Sequence, residues 1–197
     1  MACAVQVFTR SAVLALVLTS PSQAAPTETF EAARAAAQTE QPGSRLAFAS
    51  FSEFHMLTRR WTVLAFYVHW REVQEAAARR RVPIWEVERT RGQSDGETTV
   101  DWASSATCPA LADRLGQLRA LPAPAIQVPG LERPNDTVSV SLDGVGYRLW
   151  VRYAQYAGGG GEGSLQLSGN VGSPLASWAS ATELAMAPCW RPALSQP

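Results

Sequence analysis

The chain has 197 residues with 17 basic and 17 acidic side chains. It therefore carries no net charge and lacks the basic footprint of a nucleic-acid binder. Every basic residue is arginine, which excludes Schiff-base chemistry, a P-loop lysine and a kinase-type lysine; at 46% apolar residues the chain is long and greasy enough to bury a core of its own.

The first 24 residues read as an export leader. Arg10 supplies a weakly positive start, Ser11 to Leu18 is a short apolar run, and Ser22-Gln23-Ala24 puts small residues where a signal peptidase cuts. The run is too short to span a bilayer, although an uncleaved N-terminal anchor is the rival reading. Cys3 precedes the apolar run, so it is no lipid-attachment cysteine. Loss of the leader takes Arg10 with it and leaves a charge of about −1. The arginine-only usage suggests a bacterial chain from a GC-rich genome.

Residues 25–45 mix Ala, Thr, Gln, Pro and Gly and are expected to form a flexible arm, with one turn of helix around Phe30–Gln38. The rest, residues 46–197, is expected to be a single domain.

Residues 46–81 are the most aromatic stretch. From Trp61 to Trp70 the apolar run is continuous and carries no period, so it fits a strand or a helix. The Ala-rich stretch that ends in Arg79, Arg80 and Arg81 reads as helix with a cationic C-terminus, and one long helix is expected. Beyond Pro83 the period becomes two. Trp85 and Val87 alternate with Glu86 and Glu88, and Val100 and Trp102 flank Asp101, which reads as a hairpin about a Gly- and Ser-rich turn.

Thr107 is placed to cap a helix from Pro109 to Ala120 with the stripe Leu111, Leu115 and Leu118. Residues 122–135 carry four prolines and read as a surface connection. Period-two strands follow at Val138–Leu142, at Tyr147–Tyr153 and at Leu165–Leu167. Ser173-Pro174 then opens a last helix. The fold class expected is α+β: an antiparallel sheet of about five strands with two to three packed helices.

Gly158, Gly160 and Gly163 match G-x-G-x-x-G in form, but strand patterns flank the run on both sides and no helix N-terminus follows to hold a pyrophosphate. A loose hairpin loop is expected there, and no cofactor. Cys108 and Cys189 are the even pair that an exported protein joins, tying the start of one helix to the end of another. His55 and His69 match no zinc spacing, and no metal is expected. If helical, they would share a face. A small hydrolase built on either histidine is one functional alternative; it needs a Ser or Cys within hydrogen-bond reach and a backing carboxylate. A membrane-peripheral protein using residues 46–81 is another, with membrane contact possible but not favoured.

Arg148, Trp150 and Arg152 alternate with Tyr147, Leu149, Val151 and Tyr153, so on a strand they form one stripe. Arg and Trp are enriched at binding hot spots. The expectation is an exported (periplasmic or secreted) binding or envelope-accessory protein without enzymatic activity. Its partner would be another envelope protein or a small anionic ligand, met through the stripe, and not a nucleic acid.

Overall fold

A computed structural model describes residues 29–39, 46–75, 78–93, 96–123, 144–155 and 162–192. Six strands form one antiparallel sheet: β1 (Ala49–His55), β2 (Arg60–Glu75), β3 (Ala78–Gln93), β4 (Thr99–Ser104), β5 (Val145–Gln155) and β6 (Glu162–Asn170), in the order β4-β3-β2-β1-β5-β6. Three helices pack on it: α1 (Phe30–Gln38), α2 (Pro109–Arg119) and α3 (Pro174–Met186), the last followed by a 3-10 turn at Ala187–Cys189. The class is α+β as expected, with one more strand.

Two strands beyond those expected, β1 and β2, come from the aromatic segment, where they and the start of β3 replace the expected long helix. The reason is burial on both faces. Trp61, Val63 and Ala65 face α1 together with Ala33 and Ala37. Leu64 and Phe66 face the larger core of Phe51, Val87, Leu111, Leu149, Leu175, Trp178 and Met186 beneath α2 and α3. A strand covered on both sides has no polar face, so its sequence shows an unbroken apolar run rather than alternation. The Ala- and Arg-rich stretch that reads as helix is instead the far half of the β2–β3 hairpin. There the register sets Glu72 opposite Arg81 and Gln74 opposite Arg79, and the Arg81 guanidinium lies 5.9 Å from the centre of the Trp70 ring.

Residues 30–38 form a nine-residue helix, begun by Thr29, whose hydroxyl accepts from the Ala32 N–H. Cys108, not Thr107, stands at the cap of α2 and makes no side-chain cap bond, with Pro109 at the first helical position. Ser173 caps α3 by accepting from the Ala176 N–H, as its sequence predicts. The strand expected at Val138–Leu142 and most of the glycine run lie outside the described residues; Gly163 falls in β6, which pairs with β5.

One glycine is required by close approach. Gly92 sits opposite Trp61, and a Cβ there would lie 2.4 Å from the indole. Trp61 is 3% exposed and cannot swing aside. Gly92→Ala is therefore expected to cost about 1–3 kcal/mol through overpacking, read as a lower midpoint in denaturant melts. A Gly92→Ala chain as stable as the parent would contradict the packing described.

Candidate functional site

The C-terminal half of α3 lies over one end of the sheet and leaves a cleft of about 660 Å³. Its walls are polar and of both signs: Glu53, Glu97 and Glu183 against Arg60 and Arg91, with His55 among them. Below it a small recess is lined by Phe51, Leu64, Arg89, Thr182 and Trp190, and shares Glu53, Thr62, Arg91 and Glu183 with the cleft.

Each group is placed by period-two geometry. Glu53 and His55 are two apart on β1 and point to one face, where the Glu53 carboxylate sits 2.6 Å from His55 Nε2. Arg89 and Arg91 are two apart on β3, and both donate to the same oxygen of Asp101 on β4, at 2.7 and 2.9 Å. One carboxylate thus holds two guanidinium groups, and Glu183 on α3 supplies further negative charge to Arg89. Burial pushes the Arg89 guanidinium down from its ordinary value, against the raising effect of its Asp101 hydrogen bond; it remains a cation. Trp190 covers it, with the guanidinium 3.9 Å from the ring centre.

Trp190 is fixed from two sides. Cys189 is at disulfide distance from Cys108, with Cα atoms 5.8 Å apart. Arg191 pairs with Trp102 through two backbone hydrogen bonds of 2.8 and 3.0 Å, a short extra bridge on the edge of β4. The cysteine pair thus holds the start of α2 to the segment that closes the recess, and the Met186 sulfur packs 3.7 Å from Cys108 Sγ.

The stripe on β5 lies on the opposite face, the one that carries α1. Its register puts Arg148 between Ser52 and Ser168, and Trp150 between Ser50 and Gln166. Arg148 is exposed and Trp150 half-buried. Arg152 is half-buried and donates to Gln38 O at 2.9 Å and to Ala47 O at 3.3 Å. It thereby satisfies the last carbonyl of α1 with a cation, where a helix C-terminus favours one. Its guanidinium also lies 5.0 Å from the Trp150 ring centre. Of the stripe, Arg152 ties α1 to the sheet and Arg148 meets solvent.

The histidines do not share a face. His55 lies with Glu53 on the α3 side; His69 lies on the other face of β2, exposed, with Nδ1 3.7 Å from Glu86 Oε2. The pitch that would bring them together belongs to a helix, and β2 is a strand. Among the described residues, the lining of the cleft around His55 offers hydroxyls from Thr58, Thr62 and Thr99 and includes neither a serine nor a cysteine. Among the described residues no group of three or more His, Cys, Asp or Glu is placed to hold a metal.

Sequence reasoning reached His55 but not Glu53, Arg91, Glu183 or Trp190. The signal for Glu53 was present, since Ser52-Glu53-Phe54-His55 reads with period two once that stretch is a strand. Fold and cleft together define the class: an α+β domain, tied by a cysteine pair, with a mixed-charge cleft between a helix and its sheet. No protein-family model, no curated protein and no solved structure matches the chain.

Proposed function

We propose that the protein is exported and works outside the cytoplasm as a binding protein, taking a small ligand with both a cationic and an anionic group into the cleft beside α3. The leader pattern supports export, and so does a cysteine pair at bonding distance. No helix of the described residues is long and apolar enough to cross a membrane.

One observation carries the ligand class. Glu53, Glu97 and Glu183 line one concave space together with Arg60 and Arg91. A cleft lined by both signs matches a zwitterion, such as a free amino acid or a short peptide, better than a simple anion. The recess adds a donor: Trp190 Nε1–H is buried with no hydrogen-bond partner among the described residues. Arg148, exposed on the opposite face, stays open to an anionic partner.

Calorimetry and thermal shift with free amino acids and di- and tripeptides test this reading. Binding is expected, with about 2.7 kcal/mol of added stability at a hundred times the dissociation constant. Glu183→Gln and Arg91→Ala should each weaken binding by about tenfold or more, the worth of a charged hydrogen bond. Failure of every such compound to bind at millimolar concentration would remove the reading. A hydrolase has one observation in its favour, the Glu53–His55 pair, which is the orienting half of a base; turnover of a peptide or ester that His55→Ala abolishes would establish it instead.

A further inference from the structure

The β2–β3 hairpin outruns the sheet. β1 pairs with β2 only as far as Phe66, and β4 with β3 only as far as Glu86. Beyond those points no other strand of the described residues flanks them, and the two continue as a ribbon with Trp70 54% exposed and Val68 39% exposed. A two-stranded ribbon gains little stability alone and carries open backbone edges.

The two edges differ. Phe66 O accepts from the Phe48 N–H on the β1 side. By alternation Val68, Trp70, Glu72 and Gln74 turn their N–H and C=O groups to that same edge. Pro83 faces Trp70 across the hairpin, so its backbone points the other way, to the outer edge of β3. Proline has no N–H, and its presence guards that edge against an added strand. The β2 edge, Val68 to Glu75, has no such guard.

The geometry points to a second copy of this chain as its partner: two β2 edges pair antiparallel about a two-fold axis through Val73, normal to the sheet. Such an axis keeps each face of the sheet on its own side, so only residues of equal parity can meet. Centred on Val73, the sequence Arg71-Glu72-Val73-Gln74-Glu75 complements itself. Arg71 faces Glu75 of the second copy at both ends, and Val73 faces Val73. Those are the close, non-hydrogen-bonded positions, where side chains interact most. Glu72 faces Gln74, and these exchange the backbone hydrogen bonds. Other registers lose the match: centring on Arg71 or on Glu72 opposes each to itself, and centring on Trp70 sets Arg71 against His69. The existing Arg80–Glu75 pair is 3.8 Å long with both side chains about 70% exposed, so it holds Glu75 weakly. The result doubles the six-stranded sheet into one continuous sheet, leaving the cleft at the far end of each copy.

Sedimentation velocity over a concentration series tests this on the leaderless chain. A dimer is expected. Arg71→Glu and Glu75→Arg should each weaken self-association by about tenfold or more, because two like-charged pairs arise per interface. Mixing the two variants in equal amounts should restore association, since each then supplies what the other lacks. Val73→Cys should cross-link into a dimer on oxidation, because directly opposed positions of that kind have Cα atoms about 4.5 Å apart. Glu72→Cys, which faces Gln74, should cross-link far less. A chain that stays monomeric at every accessible concentration, a dimer indifferent to Arg71→Glu, or equal cross-linking at residues 72 and 73 overturns the proposal. None of these outcomes depends on whether the cleft binds a zwitterion.

Discussion

Trp178→Ala is expected to destabilise the domain by about 3–5 kcal/mol, the range for removing a buried aromatic and leaving a cavity. Trp178 is 4% exposed and sits where α3 meets both α2 and the sheet. Its ring meets Phe51 edge-on at 5.5 Å and lies 6.4 Å from Phe66. Its Nε1–H donates to Arg114 O on α2 at 2.9 Å. Loss of the side chain therefore removes core area from three elements together and also removes the hydrogen bond that ties α3 to α2 at Arg114 O. Trp178→Phe separates the two effects. It keeps much of the packing and loses the hydrogen bond, so about 1–3 kcal/mol is expected. Urea melts on both variants decide it. Should the alanine variant lose less than about 1 kcal/mol, α3 would not be held through this residue.

Reading strands from this sequence works where one face is wet and fails where both are dry. Tyr147, Leu149 and Val151 alternate with Arg148, Trp150 and Arg152 because β5 is covered fully on the α2–α3 side only, and there the period shows. β2 has Trp61, Val63 and Ala65 under α1 and Leu64 and Phe66 under α3, so its period vanishes in the sequence. The far half of the hairpin misleads for another reason. Its Ala- and Arg-rich composition has good helix propensity, yet the ladder set by the buried half carries the pairing through to Glu75 and Ala78. The caps of α3 and the proline that opens α2 are local signals, and they survive. The cleft was harder to read, because its charges come from β1, the start of β2, the end of β3, the connection before β4 and α3, which are distant in the chain. Only the Glu53–His55 spacing is local, and it carries meaning only once the segment is known to be a strand. Arg152 shows the reverse case: its residue type suggests ligand binding, while its position makes it the C-terminal partner of α1.

Removal of both cysteines, Cys108→Ala with Cys189→Ala, is expected to lower stability by about 2–5 kcal/mol, as for other native disulfides. The two residues are separated by 81 positions, and closing so long a loop in the unfolded chain is worth roughly 4–5 kcal/mol in the chain-entropy model. The folded state should keep its shape, because Cys108 lies in the main core and the Trp102–Arg191 bridge holds the same segment independently. The loss should thus appear as a lower midpoint with cooperative unfolding retained. Reductant gives the complementary test. Cys108 is 2% exposed and Cys189 half-buried, so reduction should be slower in the native domain than in the opened one. Dithiothreitol should leave the native parent unchanged on short exposure but lower its midpoint when present throughout unfolding, and should do nothing to the double variant. The same variant reports on the recess. With the covalent tether gone, Trp190 is held over Arg89 by the backbone bridge, the cation–π contact at 3.9 Å and its packing against the core, and ligand affinity in the cleft should fall together with stability. A midpoint indifferent to reductant during unfolding would mean that the two sulfurs are not joined in the protein, and the wall of the recess would then rest on the Arg191 bridge and the packing of Trp190.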